Sequence, residues 1–209
     1  MPYTQVPYIK PGSVWDAARH NSLIRDNMEY LNSVLGQTAR FIETRTLEFE
    51  QSSVLISDIP QTASHLILDM RATLRIPGQT GGIPVLQFNG DTGANYSTQY
   101  IIVNPSTPIV GVESVSKIGV YLPAFPSIES AQYRTGALFA KIIGYSQTYF
   151  FKNIRSLIGF DETSEVGGIR ESFGVWRSMA PITSLTFSIA GFPSASFIKG
   201  SSFTLIGID

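Results

Sequence analysis

The sequence predicts a mainly β protein: an antiparallel β-sandwich, jelly-roll-like, preceded by an extended arm and one N-terminal α-helix. Three observations carry that expectation. Residues 64 to 76 alternate with a clear period of two. Nine or ten strand-like runs are separated by Gly and Pro turn signals. A single long helical pattern, at residues 13 to 35, precedes them. No strand-helix alternation follows, which argues against a parallel α/β sheet.

Residues 1 to 12 read as an extended arm. Pro2, Pro7 and Pro11 forbid a helix and hold the residue before each in extended geometry. Tyr3, Val6, Tyr8 and Ile9 make the arm apolar, so it needs a surface to lie against: its own domain or a neighbouring subunit.

Ser13 is a good N-cap for the helix, Asp16 completes an Asp variant of the capping box, and Gly36 suits the left-handed end. Val14, Asn21, Met28 and Leu35 fall at heptad position a, and Ala17, Ile24 and Leu31 at d. An Asn at position a fixes register between identical chains at a cost in stability. Trp15, Leu23, Tyr30 and Val34 widen the apolar face beyond the seam. That width suits a helix lying on its own β domain instead. Two units result: a docking arm and helix at 1–36 and a β domain at 37–209. The expected partner interface comprises Tyr3, Val6, Tyr8, Ile9, Val14, Trp15, Asn21, Ile24, Met28, Leu31 and Leu35.

Within 64 to 76, Leu66, Leu68, Met70, Ala72, Leu74 and Ile76 share one face, and Asp69, Arg71, Thr73 and Arg75 share the other with Ile67. One face is expected buried and the other mostly wet. Further strands are expected over 83–89, 98–104, 114–122, 137–145, 148–160, 169–178, 181–189 and 202–208, with a looser one among residues 43 to 50. The core is expected to include Leu66, Leu68, Met70, Leu74, Leu86, Phe88, Phe187, Ile189, Phe203 and Leu205.

Composition narrows the function. The 209 residues suit one domain with a small appendage. There is no cysteine, which removes disulfides, thiolate metal sites and cysteine nucleophiles. Charged residues are 15% of the chain, below the roughly 25% usual for soluble domains. Fifteen Lys plus Arg stand against sixteen Asp plus Glu, so no electrostatic footprint for nucleic acid exists. No apolar run reaches membrane-spanning length. The opening residues lack a basic stretch followed by an apolar block, so no secretory signal is expected.

The candidate chemical sites are sparse, and neither an enzymatic activity nor a cofactor is expected. His20 and His65 have no carboxylate cluster beside them. Gly78–Gly82 lacks the Lys and Ser or Thr of a phosphate loop and reads as a mobile hairpin loop. Asp161, Glu162 and Glu165 read as a solvated loop rather than a glycosidase pair. Asn89–Tyr96 concentrates Asn, Asp and Gly in a way that Asx turns explain without calcium.

Three stretches together resemble a family of bacteriophage virion proteins found among head, neck and tail genes. The first is Pro11-Gly12-Ser13-Val14-Trp15-Asp16-Ala17-Ala18, with Asn21 and Asn27 following. The second is Leu86-Gln87-Phe88-Asn89-Gly90-Asp91-Thr92-Gly93-Ala94-Asn95-Tyr96, with Gln87 where a basic residue is often seen. The third is Ile182–Phe187 followed by Phe197-Ile198-Lys199-Gly200-Ser201-Ser202-Phe203-Thr204-Leu205-Ile206-Gly207. The resemblance implies a non-enzymatic structural component of the virion: a capsid decoration, head fibre, collar or tail appendage. Its implied partners are other virion proteins and copies of itself, as a homotrimer by the threefold habit of phage appendages. The alternative is a receptor- or glycan-binding module of a phage fibre. In that case loops 77–83 or 89–97 present Tyr and Asn to a host-surface glycan.

Overall fold

The computed structural model describes residues 39–103, 108–128, 135–161 and 167–209. The expected arm and helix at 1–36 lie outside the described residues. So do 162–166, most of the acidic loop.

The described residues form antiparallel β structure, and no helix occurs among them. The strands are β1 (Ala39–Thr46), β2 (Val54–Ile56), β3 (His65–Ala72), β4 (Leu74–Arg75) and β5 (Gly81–Gly82). Next come β6 (Pro84–Phe88), β7 (Tyr96–Val103), β8 (Pro108–Lys117), β9 (Val120–Tyr121), β10 (Phe125–Pro126) and β11 (Gly136–Ile143). The remainder are β12 (Lys152–Asp161), β13 (Gly167–Trp176), β14 (Leu185–Ile189), β15 (Ser196–Phe197) and β16 (Ser202–Ile208). Eight make one broad sheet in the order β1-β16-β3-β11-β12-β13-β7-β8. Four make a second sheet, β2-β14-β6-β9. Two short ribbons, β10-β5 and β15-β4, complete the set.

Period-two alternation makes the broad sheet two-faced. On β3, Leu66, Leu68, Met70 and Ala72 are buried, while Asp69 and Arg71 face water. Fully burying an aliphatic side chain of this size stabilises by about 1.5–3 kcal/mol. The smaller sheet supplies the opposing layer. Phe187 of β14 meets Phe203 of β16 at 5.0 Å between ring centroids, and Phe203 meets Phe197 edge-on at 5.5 Å. Phe88, at the end of β6, lies 5.4 Å from the Trp176 ring of the broad sheet. Nine of the ten expected core residues are buried; Ile189 is half-buried against the cluster.

Several boundaries depart from the sequence expectation, each for a physical reason. The run at 64–76 is two strands: the chain leaves the broad sheet after Ala72, and β4 pairs with β15. The run at 114–122 is divided between sheets, since β8 pairs with β7 and β9 with β6. Gly119 permits the crossing, because a Cβ there would stand 2.4 Å from Val85 Cγ1. The run at 181–189 pairs only from Leu185, since Asn89 engages the residues before it. Phe49 is exposed and β1 ends at Thr46. Gly81 and Gly82 are not a loose loop but strand β5, paired to β10; a Cβ on Gly82 would lie 2.2 Å from Ile76 Cδ1. The strand expected from 148 begins only at Lys152.

Candidate functional site

The face of the broad sheet turned away from the core is not uniformly polar. Phe139 on β11, Leu157 on β12, and Ile169 and Phe173 on β13 are each roughly half exposed. Phe139 stands directly opposite Leu157. Leu157 stands opposite Glu171, which Ile169 and Phe173 flank at two residues to either side. Diagonal neighbours of that kind are within reach of aromatic and long side chains, so the four form one patch over three adjacent strands. Arg155 borders it. Its guanidinium sits 5.5 Å from the Phe173 ring centroid and is ion-paired to Glu171. That pair is exposed and contributes under about 1 kcal/mol, so it borders the patch more than it stabilises the fold. Large apolar side chains suit a strand locally, but grouped on a wet face they mark a contact surface.

A second feature stands at the tip joining β11 to β12. Gly144, at φ +64°, opens the turn, and the N–H of Gln147 closes on its carbonyl at 3.1 Å. Tyr145 turns inward and ties down residues 60 to 63: its hydroxyl donates to Pro60 O and accepts from Ala63 N–H. Tyr149, Phe150 and Phe151 turn outward, the first two 78% and 70% exposed, with Met179 also exposed.

Lys152, next in sequence to the three aromatics, turns the opposite way. It is 1% exposed, and its ammonium donates to the carbonyl oxygens of Gln147, Phe150 (3.1 Å) and Met179 (3.3 Å). Burial pulls its pKa below the ordinary lysine value. Satisfying all three carbonyl oxygens at once takes three N–H donors, which only the protonated amine has. One buried cation therefore joins the tip to the strand-end segment that carries Met179.

The loop 89–96 is structural. Asn89 and Gly90 both have positive φ, and the N–H of Asp91 closes on Phe88 O at 2.9 Å, a tight turn suited to Asn-Gly. Asn89 Oδ1 accepts from the backbone N–H of Thr183 and Ser184, and its amide donates to Pro181 O. Asp91 Oδ1 accepts from Gly93 N–H at 2.8 Å. Asp91 Oδ2 accepts from the Trp176 indole at 2.7 Å and the Asn95 amide at 2.9 Å. Those donors, the indole foremost, hold the Asp91 carboxyl below the usual range. Tyr96 is fully buried, and desolvation pushes its hydroxyl up to about 12. This loop therefore does not present its tyrosine to a sugar.

His65 opens β3 and accepts the Gly144 N–H at Nδ1 over 3.0 Å, which ties it to the same tip. Among the described residues, no three His, Asp or Glu side chains gather as metal ligands. The sequence-derived interface, Tyr3, Val6, Tyr8, Ile9, Val14, Trp15, Asn21, Ile24, Met28, Leu31 and Leu35, lies outside the described residues, as does His20. Both features of the β domain escape a reading of local pattern. The aromatic run 149–151 has the composition of a strand, and only the lysine buried behind it marks a tip.

The fold and these features define an antiparallel β domain with an apolar sheet face and a latched aromatic tip. No family model matches the chain. No curated protein matches it either. Among solved structures it is similar to the crystal structure of the marine PL-14 alginate lyase from Aplysia kurodai. The identity is 7%, with 85% of this chain and 92% of that one covered, at a TM-score of 0.31. A likeness this low carries nothing about activity.

Proposed function

We propose that this chain is a non-enzymatic structural protein of a bacteriophage virion, docked by residues 1–36 and displaying the β domain as a jelly-roll-like sandwich. The observation that carries this reading is the patch of Phe139, Leu157, Ile169 and Phe173 in the middle of the broad sheet. Such a face suits a protein that works by contact, against copies of itself or other virion proteins. The resemblance in the three sequence motifs supplies the phage setting. In this reading the arm and helix bundle three copies or seat them on the capsid, neck or tail.

The test is to purify particles from infected cells and look for the chain by mass spectrometry and electron microscopy. Its presence at a fixed copy number, lost when residues 1–36 are deleted, is the expected result. A chain abundant in the lysate but missing from washed particles overturns the reading.

A second reading, receptor or glycan binding, draws on one observation. Tyr149 and Phe150 stand exposed on a tip whose backbone Lys152 holds at Phe150, and aromatic faces stack on sugar rings. Binding on an array of host-surface glycans, lost in Tyr149→Ala, separates this reading from simple display.

A further inference from the structure

A polar cleft opens at the end of the broad sheet where β11 begins, a strand length away from the aromatic tip. Its volume is about 430 Å³. Arg71, next to the last residue of β3, and Lys199, in the turn before β16, both line it. Thr46, Thr135 and Ser202, each with a hydroxyl, line it as well. None of the described lining residues is acidic. The two cations come together only because β16 pairs directly with β3, with Ser202 opposite Arg71.

Ser201 supplies a separate observation. It lines the cleft and is 3% exposed, and its Oγ has no hydrogen-bond partner. Buried hydroxyls are ordinarily paired, so an unpaired one in the wall of a cleft calls for a completing group. Gly200 beside it has φ +88°, and a Cβ there would meet nothing within 4 Å. The backbone at this corner is thus turned toward open space. Two cations and several hydroxyls, with no carboxylate among the described lining residues, select an anion. Donors approaching from β1, β3 and β16 suit a tetrahedral oxyanion better than a flat carboxylate.

We propose that this cleft binds a phosphate- or sulfate-type oxyanion, either as the free ion or as a group carried on a surface polymer. Arg71 and Lys199 supply the charge, and the wall at Ser201 and Ser202 supplies hydroxyl donors. The assignment does not depend on the virion reading.

The full-length chain, labelled with 15N, is titrated with inorganic phosphate, sulfate, a hexose 6-phosphate and, at matched ionic strength, sodium chloride. Saturable shifts at the amides of residues 199–202 are expected with the three oxyanions and not with chloride. A Kd of roughly 1 mM is in keeping with two exposed cations. Tighter binding of the hexose phosphate points to a polymer-borne group, and equal binding to the free ion. Arg71→Gln and Lys199→Gln are exposed changes that leave the fold in place. Each is expected to weaken phosphate binding by roughly tenfold, the usual effect of losing one charge-assisted hydrogen bond. Ser201→Ala serves as the uncharged check and is expected to weaken it by less. Shifts that chloride reproduces, or phosphate binding unchanged in the Arg71→Gln, Lys199→Gln double variant, overturn the proposal.

Discussion

The ammonium of Lys152 donates to the carbonyl oxygen of Phe150, two residues back in the chain, at 3.1 Å. The same ammonium reaches Met179, 27 residues onward, so a strand end and a hairpin tip share one cation. Replacing Lys152 with Met leaves three carbonyl oxygens without that donor. Stability is expected to fall by about 1–3 kcal/mol in chemical denaturation. Amides of residues 148–151 are expected to exchange with solvent faster. A variant as stable as wild type, with unchanged exchange at the tip, shows that the ammonium does not hold it.

His65 makes this region acid-sensitive. Burial first, then the nearby Lys141 charge, lowers its pKa below the ordinary 6.5, while Asp209 opposes the shift. The unfolded chain therefore takes up the proton first as pH falls. Stability from this residue is complete above about pH 6.5 and is lost on acidification toward the lower folded value. His65→Asn keeps an acceptor for the Gly144 N–H and cannot titrate. Thermal melts between pH 7.5 and 5.5, chosen to bracket the ordinary histidine range, are expected to converge for the two proteins at the acid end. A parallel decline in both puts the sensitivity elsewhere.

Asp91 carries its effect in a lower window. Its folded pKa lies below the ordinary carboxylate value, so its contribution is present above that value and disappears as pH falls through the folded one. Asp91→Ala removes the acceptor for Trp176, Asn95 and Gly93 together. A loss of about 1–2 kcal/mol at neutral pH is expected, toward the lower end for charged hydrogen bonds because the site is partly solvated. Tryptophan fluorescence of the folded variant is expected to shift as the indole N–H loses its partner. An unchanged spectrum removes the support for this contact.

The outward sheet face offers a test in which stability and association separate. Leu157→Asp with Phe173→Asp alters two partly exposed side chains. The melting temperature is expected to change by only a few degrees, given how little most surface substitutions matter. Self-association or particle binding is expected to fall, as light scattering and a pull-down on particles show. Unchanged association means that this face is not the contact surface.

Leu68→Ala tests the core. The side chain is fully buried on β3, and its removal is expected to cost about 2–5 kcal/mol. A loss below about 1 kcal/mol means the two sheets close over the vacancy.

The sheet face of β3 was legible because one wet side forces strict alternation: Leu66, Leu68 and Met70 repeat at every second position. The Asn89-Gly90 turn was legible because few residues tolerate positive φ. What local pattern does not carry is partnership at a distance. The start of β12 depends on an ammonium finding the carbonyl of Met179, and the cleft depends on β16 lying against β3. A lysine after three aromatics looks like any lysine until its neighbours from other strands are known.

The position of β16 between β1 and β3 also sets a timetable for synthesis. The hydroxyls of Thr44 and Thr204 meet at 2.9 Å, yet 160 residues separate them. At about 5–20 residues per second, the ribosome makes Thr204 roughly 8–32 s after Thr44. Until β16 emerges β1 has no sheet to join, and β3, once made, keeps an unpaired edge, which other chains can occupy. Crowded synthesis of many copies therefore exposes this protein to mispairing at β3.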